Sequence, residues 1–271
     1  MMLFLRKSPS IAVILSLLLP LLFGCAVTGP GGKTSLIFIG TETEVSIGAG
    51  MDSTIRKENP VLRDTLWQQY LDGIGQKIIA VSDRKDLDYH FAVIDSNIVN
   101  AFATPGGYVF VYTGLLKQMD NEGELGAVLA HEISHVVARH GIKRLQAAMG
   151  VSLAEQLVFG KNPGIMAQVV NIGLGLTFAE YSRENENEAD NYGIQYMIKA
   201  GYDPQASITM FEKLAAMSQG DPNFFEKLSA SHPQTQERIQ KSRDLIDSLR
   251  PLPSGIQLYQ QKYRSMKSRL R

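Results

Sequence analysis

Between Leu62 and Ile78 the apolar residues Leu62, Leu66, Tyr70, Leu71, Ile74 and Ile78 return every three or four positions, which is the repeat of one helix face. A helix is therefore predicted after Pro60, with Trp67, the single tryptophan, as core filler. Upstream, Leu36 to Ile39 suits a short strand, and Thr41 with Glu44 forms the T-x-x-E pattern of a capping box opening a helix through Lys57. From Asp88 the period shortens to two. Tyr89 to Ile94, Asn100 to Ala103 and Tyr108 to Tyr112 read as strands, and Thr104-Pro105-Gly106-Gly107 supplies the turn of a hairpin. These make a small antiparallel sheet, purely structural or holding an extended peptide at its edge, with His90 an ordinary strand residue.

The helical period resumes from Asp120 to Gly141, where Leu125, Val128, Leu129 and Val136 face a core. Asp120 can cap this helix, Glu122 and Glu124 suit the positive pole of its dipole, and Arg139 and His140 suit the other end, where Gly141 can stop it. Beyond lies a glycine-rich apolar region containing Gly150, Gly160, Gly164, Gly173 and Gly175, readable as buried helices or as a mobile cover. Its longest apolar portion, Gly164 to Phe178, is too short to cross a bilayer. Charged helices follow around Glu186, after Asp203-Pro204, and after Ser231-His232-Pro233. The sum is a mainly helical α+β domain over 36–250.

Composition, 44% hydrophobic and 20% charged, is that of a globular chain, and 27 basic against 27 acidic residues give no reason to expect nucleic acid. Residues 251–271 depart from this balance, with Lys262, Arg264, Lys267, Arg269 and Arg271 and no acid. They read as a solvated, partly disordered tail, or as a contact for anionic lipid or an acidic partner. At the other end, Arg6 and Lys7 precede the apolar run Ile11 to Phe23, and Leu22-Phe23-Gly24-Cys25 resembles the lipobox of bacterial lipoproteins. Residues 1–25 are thus expected to be a lipoprotein signal with Cys25, the sole cysteine, acylated, although Phe23 is unusual there and an ordinary export signal is the alternative. Residues 26–35 are then expected to form a flexible tether, and Ala26 after the cysteine, by resemblance to Gram-negative lipoproteins, implies the outer membrane.

Chemistry concentrates in the helix from Asp120, which holds three of the five histidines. His131-Glu132-x-x-His135 sets two imidazoles one above the other on one face, with a carboxylate a step round the cylinder. That pattern suits two nitrogen ligands of a zinc ion and a base for its water. A third ligand is needed. His140 is five residues after His135, on another face and with the wrong spacing for a third metzincin histidine, so it is read as a helix cap. Glu186 is the better candidate, with Asp190 one turn on to orient a histidine ligand, and small Ala189 and Gly193 beside them for close helix packing. A solvated charged face is the alternative, and it suits Glu184 and Glu188.

Four motifs in order, NAFATPGGYVFVYTGLL, HEISHVVARHG, SRENENEAD and SHPQTQERI, closely resemble metallopeptidase family forty-eight. This is the gluzincin group of HtpX, BepA and the CAAX prenyl proteases. The resemblance covers about residues 100–239, roughly half the chain. It implies one zinc held by His131, His135 and Glu186, with Glu132 as general base. It also implies that His232 stabilises the oxyanion or, at rest, fills the open position on zinc, and that Arg238 anchors that loop or the substrate. A lipid-anchored envelope protease acting on proteins or peptides, possibly outer-membrane proteins, is expected, with a latent chaperone or assembly factor as the alternative.

Overall fold

The computed structural model describes residues 25–27, 30–32, 34–159, 162–218, 232 and 236–270. The signal expected over 1–24, Gly160, and Ser231 and Pro233 beside His232 lie outside the described residues. In chain order the strands are β1 (Cys25–Val27), β2 (Thr34–Leu36), β3 (His90–Ile94), β4 (Ala101–Thr104) and β5 (Tyr108–Tyr112). The helices are α1 (Thr41–Glu58), α2 (Thr65–Val81), α3 (Thr113–Gln118), α4 (Glu122–Val137), α5 (His140–Phe159), α6 (Pro163–Leu176), α7 (Arg183–Lys199), α8 (Gln205–Ser218), α9 (Gln236–Ser248) and α10 (Gln260–Lys267). The architecture is mainly helical α+β.

The sheet order is β3-β5-β4, and it is mixed rather than antiparallel. The β4–β5 hairpin forms as its turn chemistry predicts, with Gly106 and Gly107 at φ 81° and 92°, a region that L side chains rarely adopt. β3 instead lies parallel to β5, pairing His90 with Tyr108 and Ile94 with Tyr112. The segment after β3 crosses the end of the sheet, where Gly114 N donates to Ser96 O and Tyr112 N to Asn100 O, so β3 joins the far side of β5. Both faces are covered. Phe91, Val93, Val109 and Val111 enter a core with α2 and α4, while Ala92, Ile94, Phe110 and Tyr112 enter a second core with α1, α5 and α6. A fully buried strand needs no polar alternation, which is why HFAVI and YVFVY are almost wholly apolar. His90, the exposed exception, stacks on Tyr108 away from the metal centre.

Helix α2 begins at Thr65, where the Asp64 carboxylate accepts from the Leu66 and Trp67 amides. Leu62, assigned to this helix by its spacing, is extended and donates its amide to Val93 O. Trp67 is fully buried edge-on to Tyr70 and Tyr263. Since Tyr263 belongs to α10, the basic C-terminal segment is a docked element rather than a solvated tail. Lys262 pairs with Glu122 at 2.9 Å, Arg269 with Asp64 at 2.8 Å, and Lys267 donates to Met119 O.

The capping box at Thr41 does not form. Gly40 is the cap and makes no side-chain bond, while Glu44 turns inward, 1% exposed. It receives Arg84 at 2.8 and 3.0 Å, Arg139 at 2.8 Å and the Gly106 amide at 3.3 Å. A buried carboxylate needs such partners, and two guanidinium groups outweigh the local backbone bond that a capping box offers. The glycine-rich region packs as helices on α1: a Cβ at Gly50 would meet Val170 at 2.7 Å, and one at Gly173 would meet Met51 at 2.8 Å. In the 26–35 stretch, β1 pairs antiparallel with β2, and the Tyr192 hydroxyl donates to Pro30 O. No helix among the described residues is long and apolar enough to cross a membrane.

Candidate metal centre

The first ligand helix, α4, is capped by Asn121 and not Asp120. Asn121 Oδ1 accepts from Glu124 N at 2.9 Å, and Glu124 Oε2 accepts from Asp120 N in return. Glu122 and Glu124 do more than suit the dipole. Both are buried, Glu122 beneath Lys262 and the Tyr202 hydroxyl, and Glu124 beneath Lys213 at 2.7 Å. Over its last two turns, α4 presents His131 and His135 with their Nε2 atoms 3.1 Å apart.

Helix α7 is capped by Ser182, which accepts from Asn185 N, and it lies against α4 through buried Ala189 and Gly193. A Cβ at Gly193 would stand 3.2 Å from His131 N, so the small residues do permit the close approach. This approach carries Glu186 to the histidines: Oε1 lies 3.4 Å from His135 Nε2, and Oε2 lies 3.6 Å from His131 Nε2. His232 completes the group, its Nδ1 2.9 Å from Glu186 Oε1 and 3.3 Å from His131 Nε2. Among the described residues, these four side chains form the one group of metal-ligating type whose ligand atoms all lie within 4.8 Å of one another.

The outer partners are equally specific. Asp190 Oδ1 is 2.9 Å from His131 Nδ1. Arg238 reaches both oxygens of Asp190, at 2.7 and 2.8 Å, and Glu186 Oε2 at 2.7 Å, with its guanidinium over the Phe211 ring. His135 Nδ1 is 2.9 Å from His140 Nδ1. His140 is therefore no helix cap: α4 ends at Val137, and His140 opens α5. Nor does Gly141 supply the left-handed residue, which is Arg139 at φ 55°. Glu132 is 4% exposed and not part of the ligand group, with its Oε1 3.7 Å from His232 Nε2. Glu184 is exposed as a solvated face requires, but Glu188 lies 3.5 Å from His140 Nε2.

Two residues escaped the sequence reading as parts of the centre: His140, read there as a cap, and Tyr181, to which no role was assigned. The Tyr181 ring covers the centre, 4.2 Å from the His135 ring and 5.5 Å from that of His232, with Arg144 on its other side. Neither a hydrophobic period nor a motif spacing signals such a cover.

The charges are mutually compensated. Burial opposes ionisation of Glu186, but His232, His135 and Arg238 together hold it well below the usual carboxylate range. Burial likewise opposes the charge on Asp190, and Arg238 and His131 lower it nonetheless. Burial drives the His135 pKa well down, so its imidazole is neutral. For His232 burial lowers the pKa, and Glu186 and Glu132 outweigh it.

The chemistry of this donor set fits a zinc ion. Four ligand atoms around an ion with bonds of about 2.0–2.1 Å stand ~3.3 Å apart in a tetrahedron. Among His131 Nε2, His135 Nε2, Glu186 Oε1 and His232 Nδ1, four separations given above run from 2.9 to 3.4 Å, and all lie within 4.8 Å. Moreover, the Asp190 carboxylate 2.9 Å from His131 Nδ1 favours by its charge the tautomer with the proton on Nδ1, which leaves on Nε2 a lone pair that faces a carboxylate and another imidazole nitrogen. Acceptors converging in a buried space need a cation between them.

Two histidines a helical turn apart, joined by a glutamate from a second helix packed against the first, define the metallopeptidases with an HExxH-plus-Glu metal site. The chain belongs to peptidase family M48, whose family model matches residues 65–246. It is 31% identical over 234 residues to the beta-barrel assembly-enhancing protease of Yersinia pestis, covering 83% of this chain and 48% of that one. It is 35% identical over 180 residues to the mitochondrial metalloendopeptidase OMA1 of Schizosaccharomyces pombe, covering 65% and 52%. With the metalloprotease YcaL of Escherichia coli it shares 32% over 164 residues, covering 59% and 63%. The chain thus spans about half the length of the first of these relatives.

Proposed function

We propose that this chain is a zinc endopeptidase, with one ion per chain, that hydrolyses peptide bonds of unfolded or misassembled proteins in the bacterial envelope. The observation that carries this reading is Glu132 standing outside the ligand group yet beside it, where a base must be. A zinc ion bound by His131, His135 and Glu186 would supply a water acidic enough to ionise near neutral pH and a positive charge for the peptide carbonyl. Glu132 would serve as the base for that water and as the acid for the departing amine. Asp190 keeps the His131 Nδ1 proton in place, and Arg238 holds Asp190 and Glu186 in their orientation. A pocket that Glu132, His131 and His232 share with Leu115, Met210 and Leu214 suits an apolar side chain of the substrate next to the base. The edge strand β4 begins at this pocket, which supports main-chain pairing with an extended peptide.

The quality-control setting rests on likeness to proteins named for β-barrel assembly, and the lipid anchor on Cys25. If Cys25 is acylated, the Cys25→Ser chain leaves the membrane fraction and appears in the soluble envelope extract. Persistence of Cys25→Ser in washed membranes at the wild-type level would remove the anchor.

A second reading is favoured by one contact: His232 Nδ1 lies where the fourth ligand of zinc would be, so four protein groups can fill the ion and leave no place for water. In this reading the chain rests as a latent protease and acts as a chaperone or assembly factor until His232 withdraws. His232→Ala is then expected to keep zinc and to raise cleavage of an unfolded outer-membrane protein about tenfold or more. A loss of cleavage with zinc retained would instead make His232 a catalytic residue that stabilises the oxyanion.

A further inference from the structure

We propose that His140 is the positioning residue of the second histidine ligand, and that Glu188 sets its tautomer, so that a carboxylate-His-His chain aims His135 Nε2 at the metal. This rests on the metal reading above. The two Nδ1 atoms of His135 and His140 are 2.9 Å apart, and only one of them can carry the proton between them. If His140 donated, the remaining proton of neutral His135 would sit on Nε2 and point into the ligand group. His135 must therefore donate and His140 accept, which leaves the His140 proton on Nε2.

Glu188 favours that arrangement, its Oε2 lying 3.5 Å from His140 Nε2. At this separation the contact works through charge more than through a well-formed hydrogen bond. His140 is fully buried and Glu188 mostly so, which keeps water from weakening the effect. The backbone is arranged for it. A helix continued through Val137 would carry His140 to a different face from His135. Arg139 instead adopts φ 55°, a left-handed conformation that is strained for a residue with a side chain. Its guanidinium is held by Glu44 at 2.8 Å and by Ile39 O at 2.6 Å, which offsets that strain and turns His140 back beneath His135. His131 is aimed by Asp190, and the chain from Glu188 is the counterpart for His135.

The test compares wild type, His140→Leu, His140→Asn and Glu188→Gln for zinc affinity, by competition with a chromophoric chelator, and for the visible bands of the cobalt(II) form. His140→Leu fills the space without an acceptor and is expected to lose ~10- to 100-fold in zinc affinity and to shift the cobalt bands. In asparagine Oδ1 is attached where histidine carries Nδ1, so His140→Asn should stay within about threefold of wild type. Glu188→Gln removes the charge and should lose about three- to tenfold. Wild-type affinity and bands in His140→Leu, or an equal loss in His140→Leu and His140→Asn, would overturn the proposal. If circular dichroism shows His140→Leu unfolded, Glu188→Gln decides: wild-type affinity in that variant overturns the chain, and the stated loss supports it. A wild-type chain that binds no zinc overturns the metal reading itself, and this proposal with it.

Discussion

Glu132→Gln is expected to lower hydrolysis of an unfolded protein substrate by ~10²- to 10⁴-fold while zinc content stays at the wild-type level. Glutamine keeps the size and the hydrogen-bonding atoms of Glu132 but cannot take a proton from water. Zinc should remain because the ligand atoms would come from His131, His135 and Glu186, with His232 beside them, and Glu132 is not part of that group. The fold should also remain, since the Glu132 carboxylate lies 3.7 Å from His232 Nε2, too far for a tight structural ion pair. Turnover and bound zinc measured on the same sample separate the possible failures. Unchanged turnover removes Glu132 as the base, and lost zinc moves it into the ligand group.

The largest stability effect is expected at Arg238. This guanidinium is 5% exposed and joins Asp190 and Glu186 in one ion cluster, so Arg238→Met leaves buried Asp190 without its main counter-charge and Glu186 without one of its partners. Removing one partner of a buried pair costs about 3–5 kcal/mol, equivalent to roughly 6–20 °C in Tm for a domain of this size. Zinc bound to Glu186 supplies part of the missing charge. The loss should therefore be greater in the presence of a chelator than in excess zinc. Thermal unfolding under the two conditions checks this, and a loss below about 1 kcal/mol in chelator would show that Arg238 does not hold the cluster together.

Much of the centre is written locally. His131 and His135 share a face because of the helical period alone, and Ala189 and Gly193 announce a close helix approach by having almost no side chain. The β4–β5 hairpin is legible for the same reason, since its turn residues act over four positions. Where local pattern and tertiary contact compete, the pattern misleads. Glu44 reads as half of a capping box until Arg84 and Arg139 are brought to it. Residues 251–271 read as a solvated tail until Tyr263 finds Trp67 and Lys262 finds Glu122. His140 reads as a cap because nothing in its spacing reveals that Arg139 takes a left-handed turn.

By itself, then, the sequence determined α1, α2, α4, α7, α8 and α9, the hairpin, the two-histidine face and the candidates Glu132, Glu186 and Asp190, all of them consequences of backbone period or short motif. Tertiary structure decided the parallel partner of β3, the convergence of His232 and Arg238 on Glu186, and the contact between His140 and His135. Those depend on which distant surfaces bury one another and on buried charges finding counter-charges, and neither is encoded at a fixed spacing along the chain.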